Sequence, residues 1–538
     1  MGALQLTLGV IGVAVSVVAW AVFVSGAIRM VRIIRLGQPD PTRTGPFTAR
    51  LKTLVVEFVA HTRMAKVRSV APWHWMVMWG FLIGSAVLFE AYGEMFDPAF
   101  HWPVIGTWAP WLLLVELLGI GTVVGGVALA VIRQLNHPRR ADRVSRFAGS
   151  SFKSAYFVEA VVVIEGLGIL GVKAFKQASG FENPPLWSSF VTAPLSNLLP
   201  AEPNWVSIMA FTKLLSGMIW LVVVGKNLTM GVAWHRFSAF FNIYFKREDD
   251  GGVALGALRP MMSGGKVLDL EEADPDTDVF GVGKVEDFTW KGLLDFSTCT
   301  ECGRCQSQCP AWNTGKPLSP KLLITQLRDH AYAKAPYLLA GGRKDMAGDE
   351  VGITGDDYQK RLESINVLAL AEAERPLIGG PDELGVIDPE VLWSCTSCGA
   401  CVEQCPVDIE HVDHILDLRR HQTLIETDFP PELNGLFRNL ERSGNPWGVN
   451  ASKRMDWAAA LPFEVRQVGV DVASLEDVEW LFWVGCAGAF DDRAKRTTQA
   501  VAELLHIAGV SFAVLGSGET CTGDPARRSG NEFLYQQL

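Results

Sequence analysis

Cys299, Cys302, Cys305 and Cys309, followed by Pro310, recur with the same spacing as Cys395, Cys398, Cys401 and Cys405, followed by Pro406. Both runs read C-x2-C-x2-C-x3-C-P. In that spacing three thiolates wrap one iron–sulfur cube while the fourth, past a turn, reaches a second cube. The pair predicts two [4Fe–4S] clusters with crossed ligation: Cys299, Cys302, Cys305 and Cys405 for one, Cys395, Cys398, Cys401 and Cys309 for the other. A zinc ribbon would need two C-x2-C pairs per metal and leaves the third cysteine and the prolines without a role. Two adjacent clusters imply one-electron traffic, which raises the question of what lies at each end.

Hydrophobic residues make up 49% of the 538 and charged residues only 20%. The apolar residues are concentrated in the first 235 positions, as five runs at 1–28, 71–89, 108–132, 154–173 and 205–233, each read as a bilayer-spanning helix. The first run lacks the basic start and small-residue cleavage site of a signal peptide and is read as a retained helix. Residues 29–68 carry nine Lys/Arg and 133–153 carry six, against none in 90–107 and two in 173–204. By the positive-inside rule the N-terminus is expected outside and the cysteine repeats in the cytoplasm of a bacterial cell. All ten cysteines lie after residue 298, which fits a reducing compartment. The net charge of −10 argues against nucleic-acid binding, since the arginines flanking the spans are taken up by lipid headgroups.

Ionisable residues inside spans are functional candidates by default. Glu116 with Lys213, and Glu159 with Lys226, lie at similar depths and are expected to pair. Glu165, near mid-span with no cation at its level, is the candidate for proton handling, with Glu159 beside it. His74 opens the second span in Pro72-Trp-His-Trp, His235 closes the fifth in Ala233-Trp-His-Arg, and His61 ends an amphipathic stretch. His74 and His235 are the expected axial ligands of a b-type haem, with His61 a second-site ligand or an interfacial residue. Tryptophan-flanked histidines also serve as plain interfacial anchors.

The chain is expected to divide into a transmembrane haem and quinone domain (1–246), a polar linker (247–286) that lays the chain along the membrane underside, an α-helical cluster domain (287–428), a connector (429–475) and an α/β segment (476–538). The linker's acidic run Glu271 to Asp278 reads as a solvated loop. Helical spacing marks Pro320 to His330 and Asp357 to Ala373. Val478 to Val484 reads as a buried strand, Asp492 to Ala508 as a helix and Ser511 to Leu515 as a second strand, making one βαβ unit with Cys486 and Cys521 at its strand ends. One such unit does not close a sheet, so the domain is expected to be incomplete. The fold class is therefore mainly α: a five-helix transmembrane bundle, an α-helical ferredoxin and part of an α/β domain.

With these motifs placed, the five-span part resembles the gamma subunit of respiratory nitrate reductases. The Cys-Pro repeats resemble the α-helical ferredoxin of succinate dehydrogenase and heterodisulfide reductase subunits. Cys486 and Cys521 resemble the first half of the CCG module of heterodisulfide reductases, although Thr522 stands where that module has a second adjacent cysteine and no later C-x2-C follows. The whole order, with the run Asp295 to Lys321, is similar to bacterial membrane iron–sulfur reductases. That resemblance implies electron transfer from electron-transfer flavoprotein to menaquinone, with Cys486 and Cys521 ligating a further cluster or doing redox chemistry. A thiol–disulfide reductase coupled to quinone, and a membrane-anchored scaffold, are the other readings.

Overall fold

The computed structural model describes residues 2–248, 258–274, 277–345, 348–355 and 358–538. Its contacts divide the chain into two compact units, Met1–Ala257 with Lys284–Val412, and Leu258–Gly283 with Asp413–Leu538. The glycine-rich start of the expected linker (249–257), Pro275 and Asp276 of the acidic run, and Asp357 lie outside the described residues.

In the first unit the long apolar runs form helices, which satisfy every backbone polar group internally as lipid requires. Among the described residues α1 (Ala3–Ile34), α5 (Ala109–Leu135), α6 (Phe152–Ala178) and α7 (Asn204–Lys226) are each long and apolar enough to cross a membrane. Between α1 and α5 lie α2 (Phe47–Leu54) and a pair, α3 (Ala71–Leu82) and α4 (Gly84–Phe96), bent by 43°. That pair counts as a fifth span if taken together. The bend falls at Gly84-Ser85, where Ser85 Oγ donates to Leu82 O, the kind of Gly/Ser step that kinks helices. The expected fifth span, 205–233, ends early: Asn227 leaves helical geometry and caps α7, and the chain restarts as α8 (Gly231–Tyr244). His235 thus sits on a separate helix and does not close a span.

At one end of the bundle Gln5 Nε2 donates to Asn204 Oδ1 across 2.8 Å. At the other, α1 runs into the cluster segment: Gln38 N donates to Phe288 O and Trp290 N to Gln38 O, both at 2.9 Å. Two buried ionic clusters tie the segments together there. Arg43 makes a bidentate pair with Glu410 (2.6 and 2.8 Å) and a third bond to Asp40. Asp295 accepts from Lys291, Asn242 and the Glu410 amide. Removing one partner of such a pair strands a buried charge, at about 3–5 kcal/mol. Beyond α9 (Trp290–Thr298) come α10 (Arg304–Gln308), α11 (Pro320–Leu339) and α12 (Ala400–Gln404). The expected helix from 357 to 373 is two short ones, Tyr358–Glu363 and Val367–Glu374.

The second unit holds a small hairpin, β1 (Met262–Ser263) with β2 (Lys266–Val267), and a parallel pair, β3 (Trp480–Leu481) with β4 (Phe512–Ala513). The helix α13 (Asp492–Ile507), capped by Asp491, lies between the latter two strands, so the βαβ order holds. The first strand is not buried, however. Trp480 is 66% exposed, because α13 covers one side only and the core of Trp457, Ala502, Phe512 and Val514 takes Phe482 instead.

Candidate redox centre

The two cysteine loops adopt one backbone conformation. Glu301 and Gly303 flank Cys302 with φ of 56° and 68°, and Ser397 and Gly399 flank Cys398 with φ of 54° and 75°. Each loop then enters a five-residue helix, α10 or α12, and leaves it through a cysteine in extended conformation, Cys309 (φ −73°, ψ 120°) or Cys405 (φ −69°, ψ 123°). Cys405 is within electrostatic reach of Cys302 and Cys305, and Cys309 of Cys395 and Cys398, the grouping that crossed ligation requires. Cys305 is also within reach of Cys401.

Burial pushes the Cys299 thiol up to about 12 and raises Cys305 well above the ordinary thiol range. These sulfurs become thiolates only beside a cationic group, which iron supplies. Backbone amides already point at sulfur: Ser397 N donates to Cys395 Sγ (3.3 Å) and Ile409 N to Cys405 Sγ (3.4 Å). Among the described residues no three such side chains close on a single ion; a cube binds its thiolates to different irons and so holds them apart.

The three histidines meet. His61, His74, His235 and Cys302 line one cavity of about 190 Å³, walled by aromatic and aliphatic side chains of α3, α5, α6 and α8. The His61 and His74 rings stack at 5.0 Å with His61 Nε2 and His74 Nδ1 3.2 Å apart, and the His74 and His235 rings lie 6.4 Å apart at 43°. His235 Nδ1 is 3.2 Å from Gly231 O. In both His74 and His235, then, Nδ1 is engaged. His61 reaches this place because α2 passes into a π-turn, Val55–Val59, and His61 itself takes a left-handed conformation (φ 55°), an arrangement found at functional sites. Burial lowers His61 and pushes His235 down to about 4, so both imidazoles are neutral, the form that binds metal.

The cavity is also lined by Arg133, Arg146, Arg236 and Arg304. Arg133 pairs with Glu159 at 2.9 Å. Among the described residues the other three have no carboxylate partner: Arg146 lies over Phe147, Arg236 over Phe81 and Trp220, and Arg304 donates to Arg63 O. These arginines were not singled out from the sequence, although Arg236 directly follows His235. Lys321, which ends the run noted above, is buried and donates to Arg146 O, Ala148 O and Ser150 Oγ.

The expected ion pairs are corrected. Glu116 binds Lys173 (2.8 Å), not Lys213, and Glu159 binds Arg133, not Lys226. Matching depth alone does not say which helices are neighbours, and α5 packs along α6. Lys213 faces Glu94. Glu165 accepts from Ser216 Oγ and lies within electrostatic reach of Lys213, so the expectation of no cation at its level is not met. Of the two α6 carboxylates, Glu159 lines the histidine cavity and Glu165 is turned away from it, as six residues on a helix require.

In the second unit Cys486 and Cys521 share one apolar cluster with Phe437, Leu440 and Leu534. Arg454 Nη2 is 3.1 Å from Cys486 Sγ, and its Nη1 pairs with Glu519, which also accepts from the Val484 and Gly485 amides. Burial raises the Cys486 thiol and Arg454 opposes that shift.

Residues 298–409 match the 4Fe-4S dicluster domain, and residues 480–538 the cysteine-rich domain CCG. The chain is 31% identical over 533 residues to the EtfAB:quinone oxidoreductase of Syntrophomonas wolfei, covering 96% of this chain and 69% of that protein. The chain belongs to the EtfAB:quinone oxidoreductase family of iron–sulfur oxidoreductases. It is also 30% identical over 535 residues to a probable membrane-anchored ferredoxin of Chromohalobacter salexigens (97% of this chain, 68% of that one). A third relative, the probable iron-sulfur-binding oxidoreductase FadF of Bacillus subtilis, is 39% identical over 287 residues (52% and 39%). No solved structure matches.

Proposed function

We propose that this protein takes electrons from a cytoplasmic flavoprotein of the electron-transfer flavoprotein type, linked to fatty-acid β-oxidation, and delivers them to menaquinone in the cell membrane. The observation that carries the reading is the single cavity lined both by Cys302 of the first cluster loop and by three histidines of the apolar bundle. Two [4Fe–4S] clusters and haem b, when bound, supply one-electron steps between a two-electron donor and a two-electron acceptor. Cys299, Cys302, Cys305 and Cys405 hold one cluster, and Cys395, Cys398, Cys401 and Cys309 the other. His74 and His235 would hold the haem iron through the ring nitrogens left free by their Nδ1 hydrogen bonds. Their ring separation of 6.4 Å suits two metal–nitrogen bonds of ~2 Å each with the ring radii added. His61 orients His74 through its Nδ1, as second-shell partners of metal-bound imidazoles do. Arg146, Arg236 and Arg304, which line the same cavity, would balance the negative charge of the haem's carboxylates. The arginine-rich side of the bundle and the cluster segment lie in the cytoplasm, and the N-terminus lies outside.

The test is an optical and EPR redox titration of the purified protein, with electron-transfer flavoprotein as donor and menaquinone-4 as acceptor. A b-type band and two cluster signals that oxidise when menaquinone-4 is added support the reading; absence of the band, or clusters that stay reduced, defeats it. Within it, Cys309→Ser is expected to alter the signal of the cluster held by Cys395, Cys398 and Cys401, because the fourth ligand crosses over. Loss of the other signal instead would make the ligation local. Glu165→Gln is expected to slow quinone reduction about 100-fold, the scale of a lost proton donor, and to leave cluster reduction by the donor unchanged. Stopped-flow separates the two half-reactions, and equal turnover in both proteins removes Glu165 from the mechanism.

A second reading, thiol–disulfide exchange, is favoured by the pairing of Cys486 with Cys521 beside Arg454. Under it Cys486→Ser abolishes disulfide reduction while quinone turnover persists.

A further inference from the structure

The end of the bundle remote from the cluster segment buries a chain of charges that electron transfer does not use. Ser216 Oγ donates to Glu165 and also lies 3.0 Å from Lys213 O. Lys213 Nζ meets Glu94 Oε2 at 3.4 Å, and Lys176 Nζ meets Glu94 Oε1 at 2.7 Å. Lys176 further lies 3.6 Å from Glu90 and 4.0 Å from Glu182. Glu182 Oε1 is 3.0 Å from His101 Nε2, whose ring is 13% exposed. On α6 the chain runs from Glu165 to Lys176, about 16 Å at ~1.5 Å per residue, roughly half the thickness of a bilayer core.

The charges do not balance. Glu90, Glu94, Glu165 and Glu182 face Lys176, Lys213 and His101; the neighbouring Lys173, which also approaches Glu182, is matched by Glu116. An uncompensated carboxylate is costly in this setting, so the group retains at least one proton. Its location is visible at the rim. His101 Nδ1 faces Ala99 O (2.7 Å) while Nε2 faces Glu182, and both are acceptors, so either the ring carries two protons or Glu182 carries one. Glu182 Oε2, Gln177 Oε1, Ser179 Oγ and Ser189 Oγ are buried there without hydrogen-bond partners among the described residues.

We propose that the side chains of His101, Glu182, Lys176, Glu94 and Lys213, the last within electrostatic reach of Glu165, form a proton path from the end of the bundle remote from the clusters to its middle. The inference rests on the quinone reading above. Reduction of one menaquinone takes two electrons from the flavoprotein, which is oxidised, and two protons, forming two O–H bonds. Glu165 gives a proton to a quinone oxygen and is recharged through Lys213 and Glu94 from His101 and Glu182. The reaction therefore draws protons from the face opposite the electron donor.

The test uses the purified full chain in proteoliposomes containing menaquinone-4, with a pH dye trapped inside. Dithionite is added outside, so that only molecules with the cluster segment outward are reduced. Wild type should reduce menaquinone-4 and alkalinise the lumen. His101→Gln and Glu182→Gln should each slow lumenal alkalinisation about 100-fold with both cluster EPR signals retained. The His101 ring is less buried than Glu182, so its replacement keeps the test readable if the Glu182 variant does not fold. Menaquinone-4 reduction without any lumenal change, or variants that match wild type, overturns the path and leaves the quinone reading standing. If wild type does not reduce menaquinone-4 at all, the quinone reading falls and the path with it.

Discussion

Replacing His74 or His235 by alanine should abolish the reduced-minus-oxidised b-type band and cut menaquinone reduction by about 100-fold or more, with both clusters still reduced by the donor. The expectation follows from ring geometry. His74 and His235 line one cavity with their rings 6.4 Å apart and their Nδ1 atoms engaged, and neither has a second histidine on its own helix. His61 is the internal control. It touches His74 through a ring nitrogen, so His61→Ala should weaken haem retention about 10–100-fold and shift the band without removing it. A band that survives both His74→Ala and His235→Ala would return these residues to the role of interfacial anchors. Loss of the band in His61→Ala alone would make His61 a ligand. EPR of the clusters in each variant separates loss of haem from loss of fold.

The parts of the centre readable from the chain are those whose chemistry is written in local spacing. The C-x2-C-x2-C-x3-C-P runs specify their own loop conformation, because glycine at 303 and 399 permits the left-handed turn on which the loop closes. The apolar runs likewise announce the bundle, since lipid demands a contiguous apolar segment. Partnerships between helices were not readable. Glu90, Glu94 and Lys176 fall outside the apolar runs, which end at 89 and 173, whereas α4 continues to Phe96 and α6 to Ala178. A residue placed in a loop is not expected to pair, and so Glu116 and Lys213 were matched to each other although each has a nearer partner. His61 shows the opposite case. Its approach to His74 depends on a π-turn and a left-handed backbone at a non-glycine residue, neither of which leaves a mark in periodicity.

Gly303→Ala is expected to remove the cluster held by Cys299, Cys302, Cys305 and Cys405. A β-carbon at position 303 would lie 1.7 Å from Arg146 O, and one at Gly231 would lie 1.9 Å from Cys299 O, where real contacts essentially never fall below 3.0 Å. In both cases the obstacle is backbone, which has no rotamer to retreat into, so two segments must part by more than 1 Å. At Gly303 the left-handed conformation (φ 68°) adds roughly 1–2 kcal/mol for any side chain. Separation here displaces Cys302 and Cys305, and Lys321 loses the Arg146 and Ala148 carbonyls that hold the 146–150 turn against the loop. Gly231→Ala acts from the other side. It forces the start of α8 away from Cys299 and carries His235, one turn further on, with it. Iron analysis and EPR of Gly303→Ala should therefore show one cluster missing and the Cys395, Cys398 and Cys401 signal altered through Cys309. Gly231→Ala should keep both clusters and slow their oxidation by menaquinone-4. Full cluster content with wild-type oxidation kinetics in Gly231→Ala would mean that the close packing of α8 on the cluster loop is not what brings His235 within electron-transfer reach.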